Sequence, residues 1–103
     1  MEIKIEQLGG ICLITFNRPK VYNSFNKPMA MALQETLDEC AKDENVRAIV
    51  LKGEGKAFCA GQDLAEVTDP EGPELKSIVG EHYNPIISRI RSIEKPVIAA
   101  VNG

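Results

Sequence analysis

Val46-Arg47-Ala48-Ile49-Val50-Leu51, set between Asn45 and Gly53, is the stretch on which the fold turns. It is a short run rich in β-branched residues, the pattern of a strand buried on both faces in a parallel sheet. Before it, Met29, Leu33, Leu37, Cys40 and Ala41 recur at helical spacing with acids and amides between them. Asn26 stands where it can cap that helix, with Pro28 in the first turn, so the spacing predicts one amphipathic helix ending near Asp43. Further back, Ile3 and Ile5 alternate with charged residues and Ile11 to Phe16 run apolar. Gly9-Gly10 between them can take the positive φ of a tight hairpin turn. Asn17-Arg18-Pro19 closes the second strand, because proline donates nothing to a ladder and restricts its predecessor. The order β-β-α-β, with the helix crossing over between parallel strands, gives an α/β fold class.

Beyond Leu51, the stretch from Gly53 to Leu64 is rich in glycine and small residues, and Thr68-Asp69-Pro70-Glu71-Gly72-Pro73 reads as an exposed, mobile loop. Leu75, Ile78, Val79, His82, Tyr83, Ile86, Ile87, Ile90 and Ile93 form a second helical stripe, which Pro85 should kink. Pro96 to Val101 repeats the buried-strand pattern and runs into Asn102-Gly103. The few elements present can hardly cover both faces and both edges of such a strand.

The 103 residues are 44% hydrophobic and 26% charged, the makeup of one soluble globular domain with a small core. The formal charge of -3 is spread along the chain, with no cationic run to neutralise a phosphate backbone, which argues against a nucleic-acid partner. The first residues lack a basic and an apolar leader region, and no apolar stretch approaches the ~20 residues that span a bilayer, so a cytoplasmic location and no membrane partner are expected. Cys12, Cys40 and Cys59 are odd in number, lie in apolar segments and have no CxxC spacing. They read as reduced, buried thiols, with no metal site.

Chemistry points to Lys56-Ala57-Phe58-Cys59-Ala60-Gly61-Gln62-Asp63-Leu64, which follows the Val46 to Leu51 strand after a glycine-containing turn. Ligands of α/β sheets bind beyond the carboxyl ends of strands. Ala60 and Gly61 leave the backbone bare, and a turn here can aim unpartnered N–H groups outward, donors able to hold an oxyanion; a plain structural turn is the alternative. Gly53-Glu54-Gly55-Lys56-Ala57 approximates a phosphate loop but lacks its spacing and its hydroxyl residue. His82, the lone histidine, lies on the apolar stripe, where a hydrogen-bonded core residue is the commoner case than a base. Cys59 has no flanking base that would make it a nucleophile.

Three segments, in order and spacing, carry a family resemblance: Asn17-Arg18-Pro19-Lys20-Val21-Tyr22-Asn23-Ser24, Ala57 to Leu64, and Lys95-Pro96-Val97-Ile98-Ala99-Ala100-Val101-Asn102-Gly103. Together they resemble signature stretches of the enoyl-CoA hydratase/isomerase (crotonase) superfamily. Within it, Phe58 to Leu64, Asp69 to Pro73 and Tyr83-Asn84-Pro85 look most like the epoxyphenylacetyl-CoA isomerases of bacterial phenylacetate degradation. The resemblance implies the N-terminal half of a crotonase-like β-β-α spiral, with residues 1–103 as one domain part, incomplete on its C-terminal side. It implies an acyl-CoA isomerase or hydratase that stabilises a thioester enolate with two backbone N–H groups. The first maps onto Gln62, whose side chain is then idle, so that Gln62→Ala is mild and proline removes the donor. Ala60, Gly61, Gln62, Asp63 and Leu64 would border coenzyme A, which enters as part of the substrate, with no prosthetic group. Lys20 and Val21 match positions lining the same ligand. Ala65 departs from relatives that carry a lysine there. The second donor and the acid/base carboxylates lie beyond Gly103 in the family, so this chain alone is expected to be inactive, and neither Asp63 nor Glu66 is promoted to base. Members commonly form trimers or pairs of trimers. The alternatives are a non-catalytic module that binds coenzyme A or a protein, and a structural fragment that pairs through its open sheet edge.

Overall fold

The computed structural model describes residues 2–103. Strands β1 (Ile3–Leu8) and β2 (Ile11–Phe16) form the antiparallel hairpin, turned at Gly9 with φ +62°. β3 (Ala48–Gly53) and β4 (Val97–Ala100) follow in parallel, giving the order β1-β2-β3-β4. The α/β class and the hairpin are as the sequence predicts.

Helix α1 (Lys27–Lys42) starts where the capping signal places it: Asn26 accepts from Met29 N at 3.1 Å, and Pro28 occupies the first turn. Its buried stripe of Met29, Ala30, Leu33, Leu37 and Cys40 packs on Cys12, Ile14, Ile49 and Leu51 of the sheet. Lys95 Nζ closes the other end by donating to Cys40 O and Asp43 O, a cation where the helix dipole is negative.

Burial corrects one expectation. β3 alternates buried with half-buried residues, and β4 is largely exposed, with Ile98 at 53%. α1 and α4 (Asn84–Ser92) cover one sheet face; Leu13, Val50 and Ile98, in register on the other, are only half-buried or exposed. An apolar run marked strands fit for cover on both faces, and the described residues supply it on one.

The second helical stripe is also reshaped. It begins as α3 (Leu75–Ser77), passes through a π-helical turn (Ile78–Tyr83) and continues as α4. Pro85 has no N–H for the carbonyl of Glu81, its α-helical partner four residues back. Gln34 of α1 supplies the missing donor, its Nε2 lying 2.8 Å from Glu81 O and 3.1 Å from His82 O. The expected kink therefore takes the form of a wide turn anchored by a buried amide.

Three loops meet at the carboxyl ends of β2, β3 and β4, and polar side chains interlock them. After a 3₁₀ turn (Pro19–Val21), Tyr22 and Asn23 take left-handed φ values of 53° and 58°. That places the fully buried Asn23 side chain between segments: Nδ2 donates to Glu54 O at 3.0 Å and Ala57 O at 2.7 Å, and Oδ1 accepts from Arg18 N. Arg18 donates to Asp63 Oδ2 at 2.8 Å and to Ser24 O. Asn102 joins from the far side, its Nδ2 donating to Gly55 O and its carbonyl accepting from Phe58 N. Gly53 lets the loop fold back, since a Cβ there would lie 2.4 Å from Ala57 O.

Two outcomes check this interlock. Asn23→Ala, which orphans buried backbone groups at a left-handed position, should cost about 3 kcal/mol by urea unfolding, and Asn23→Gly about 1 kcal/mol less, because glycine relieves only the backbone strain. The Arg18 guanidinium holds the Asp63 carboxyl below its ordinary value of 3.8, helped by the Ala65 N–H and opposed by partial burial. A depressed carboxylate stabilises the fold above its unfolded value, and that stabilisation disappears as pH falls through the folded one. Asp63→Asn keeps the cap on Ala65 N, so it should cost about 1–2 kcal/mol at pH 7, and thermal scans should show the gap to the unaltered chain closing below the ordinary carboxylate value.

Candidate functional site

The segment from Ala60 to Asp63 is held through one isolated parallel bridge, between Phe25 and Gln62. Phe25 N donates to Gly61 O at 2.7 Å, and Asp63 N donates to Phe25 O at 2.8 Å. In this pattern the bonded groups belong to the residues on either side of Gln62, so the N–H of Gln62 points away from the Phe25 segment. Its neighbours are engaged: Ala60 N donates to Tyr22 O at 3.0 Å, and Gly61 N reaches Cys59 Sγ at 3.4 Å. Among the described residues, nothing accepts from Gln62 N.

Glycine at 61 is required by backbone shape. Its φ is +101°, and a Cβ built there would meet nothing within 4 Å, so the backbone at Gly61 is open on the side where a side chain would stand. Ala60 and Gly61 are exposed, Gln62 and Asp63 half-buried, and Leu64 is 74% exposed. Lys20 and Val21 are exposed on the 3₁₀ turn, next to Tyr22, whose carbonyl binds Ala60 N. Lys20, Val21 and Ala60 to Asp63 thus belong to one pair of interlocked loops, with Leu64 opening the helix that follows. A depression lined by Lys52, Gly53, Glu54, Gly55, Ala100 and Asn102 opens at the ends of β3 and β4; Gln62 is not part of its wall.

Asp63 is already engaged. Its side chain caps the short helix α2 (Leu64–Thr68) through Ala65 N at 2.9 Å and pairs with Arg18. Behind Gln62 lies a polar cluster that the sequence did not reveal. Gln62 Nε2 donates to Glu66 Oε1 at 2.9 Å, Gln62 Oε1 accepts from the Tyr83 hydroxyl, and Glu66 Oε2 accepts from Lys27 N at 2.8 Å. His82 is 2% exposed, a core residue as its place on the stripe predicts, yet its Nδ1 has no hydrogen-bond partner and lies 4.0 Å from Glu66 Oε1. Burial, reinforced by Cys59 and Glu66, pushes the Tyr83 hydroxyl up to about 12. The ring packs in a row with Phe25, Phe16 and Phe58 at centroid spacings of 5.2 to 6.0 Å. The only hint in the sequence was Pro85, which announces a disturbed helix but not its partner.

The thiols divide. Cys12 and Cys40 are buried and free, and burial first, then contact with Cys12, pushes Cys40 up to about 12. Cys59 is free and half-buried beside Gly61 N. No group of His, Cys, Asp and Glu among the described residues could hold a metal ion, and no described helix is long and apolar enough to cross a membrane.

Comparison with known proteins places this geometry in a family. The family model described as enoyl-CoA hydratase/isomerase matches residues 6–103. The chain is 44% identical over 97 residues to a 1,2-epoxyphenylacetyl-CoA isomerase of Escherichia coli strain K12, a match covering 91% of this chain and 37% of that enzyme. It is 39% identical over 106 residues to 4-chlorobenzoyl coenzyme A dehalogenase-2 of an Arthrobacter species, covering 98% of this chain and 38% of the relative. An enoyl-CoA hydratase crystal structure from Mycobacterium smegmatis superposes with a TM-score of 0.89 at 34% identity, covering 98% of this chain and 40% of that one. The chain therefore spans well under half the length of the relatives it matches, and it has the fold of the N-terminal part of a crotonase. With nearly the whole chain matched, the chain belongs to the enoyl-CoA hydratase/isomerase family.

Proposed function

We propose that the N–H of Gln62 is an oxyanion donor: it receives the carbonyl oxygen of a coenzyme-A thioester and holds the charge that develops there when a proton leaves the α-carbon. One observation carries the reading. Among the described residues Gln62 N is unengaged between two engaged neighbours, Gly61 N and Asp63 N, beside an exposed glycine. An N–H fixed before the substrate arrives needs no reorganisation as charge develops, which is why such donors contribute strongly to acyl chemistry. Lys20 and Val21 would line the coenzyme-A moiety beside Ala60, with Lys20 near its phosphates, and the backbone from Ala60 to Leu64 would border the adenine and pantetheine.

In a protein that continues this chain to the length of its relatives, the activity is an acyl-CoA isomerase or hydratase, with an epoxyphenylacetyl or enoyl thioester as substrate. The family includes relatives named isomerase, hydratase and dehalogenase, so the polarised thioester is the shared feature on which different chemistries are built. The 103-residue chain offers one donor of the pair and no assigned acid/base group, and by this reading it binds a thioester without turning it over.

Calorimetry with crotonyl-CoA and with free coenzyme A tests this reading. The thioester should bind about 10-fold more tightly than the thiol, without product formation, and Gln62→Pro, which deletes the N–H, should erase that preference. Equal affinities for thioester and thiol in the unaltered chain would overturn the assignment. Turnover by the chain alone would overturn its division of labour.

A further inference from the structure

We propose that the side chain of Gln62 is a positioning device for its own N–H, and that Tyr83 and Glu66 are the residues that fix it; the inference rests on Gln62 N being the oxyanion donor. The Gln62 N–H belongs to the peptide that joins Gln62 to Gly61. Its orientation depends on Gly61, a residue with no Cβ at φ +101° and with open space around it, so this should be the most pliable link in the segment. The bridge to Phe25 holds this planar peptide by its carbonyl oxygen, Gly61 O, and fixes Asp63 N beyond it, so the Gln62 N–H, trans to that oxygen, can still pivot about a single attachment.

The Gln62 side chain supplies a second constraint, on the other side of the N–H. Its amide is gripped at both ends, the oxygen by the Tyr83 hydroxyl and the nitrogen by Glu66 Oε1. Each grip is secured in turn. Glu66 Oε2 accepts from Lys27 N in the first turn of α1, where an anion is favoured and a backbone N–H would otherwise lack an intrahelical partner. The same carboxylate faces the otherwise unpartnered, buried Nδ1 of His82 at 4.0 Å. Tyr83 is the last residue of the π-helical turn, and its ring leans on Phe25, the residue that makes the bridge. Because its hydroxyl is held well above the ordinary phenol range, it remains a donor at every working pH. A run of contacts thus links Pro85, through the wide turn and its Gln34 anchor, to the direction of one peptide N–H.

This account revises the expectation that Gln62→Ala is mild. It also separates positioning from simple stability through an exchange of groups. Gln62→Glu sets two carboxylates against each other, whereas Gln62→Glu combined with Glu66→Gln restores every bond: Gln at 66 donates to Glu at 62 and accepts from Lys27 N, and Tyr83 still donates to position 62. Nitrogen-15 relaxation of the chain gives the order parameter of the amide at position 62, with the bonded amide of Asp63 as internal control. The unaltered chain should read about 0.85 and Tyr83→Phe, Gln62→Ala and Gln62→Glu below about 0.6, with the double variant returning to the original value. Affinity for crotonyl-CoA should fall about 10-fold in the loosened variants and recover in the double variant, and Tyr83→Phe, which lies outside the coenzyme-A segment, should bind free coenzyme A as the unaltered chain does. Unchanged order at position 62 in Tyr83→Phe and Gln62→Ala overturns the proposal, as does a loosened amide that binds the thioester with undiminished affinity. Order that falls and recovers in a chain that never prefers the thioester supports the positioning role and overturns the oxyanion reading instead. Should Gln62→Glu lose the Asp63 control as well, Tyr83→Phe and Gln62→Ala, which introduce no charge, decide the matter.

Discussion

The arrangement depends on the buried side chain of Asn23. A short amide in a left-handed backbone position is one of the few groups that can tie together loops from separate strands without adding bulk, and its oxygen and nitrogen are both used. It fixes the Arg18 to Ser24 loop against the Glu54 to Ala57 turn, and from that contact the remaining order follows. Arg18 is then placed to pair with Asp63, Tyr22 to receive Ala60 N, and Phe25 to form its one-residue bridge. Without it, backbone carbonyls of the glycine-rich turn would be left partly buried and unsatisfied, at a cost comparable to several hydrogen bonds.

A single bridge suits this task better than a full strand. A strand with neighbours on both edges would engage every N–H, and a free loop would not hold a donor steady. Pairing over one residue leaves the central N–H unused while its flanks are fixed, which is the condition for a preorganised donor. The aromatic row from Phe58 through Phe16 and Phe25 to Tyr83 supports the loops from beneath. Packing and polar contacts therefore act on the same few peptides.

Much of this was legible in the residues. Local rules found what local forces decide: Gly9-Gly10 gave the hairpin turn, Asn26 and Pro28 the start of α1, and the β-branched run the strand that became β3. The segments carrying the family resemblance physically interlock, Asn23 with Ala57 and Phe58 with Asn102. Three features lay beyond local reading. Cover for a sheet face depends on what is available to pack, so apolar β3 and β4 could not reveal that one face stays open. Pro85 signalled a disturbed helix, but a π-helical turn depends on a donor from Gln34, distant in sequence. The grip of Tyr83 and Glu66 on the Gln62 side chain joins three elements, and no spacing rule connects them.

Amide hydrogen exchange of the free chain, resolved residue by residue, bears most directly on the central claim. Phe25 and Asp63 should exchange slowly, since both donate across the bridge, while Gln62 between Gly61 and Asp63 should exchange close to the rate of an unprotected amide and slow markedly when a thioester is added. Strong protection of Gln62 in the free chain, equal to that of Asp63, would mean that its N–H already has a partner, and the account of this peptide as a waiting donor would be contradicted.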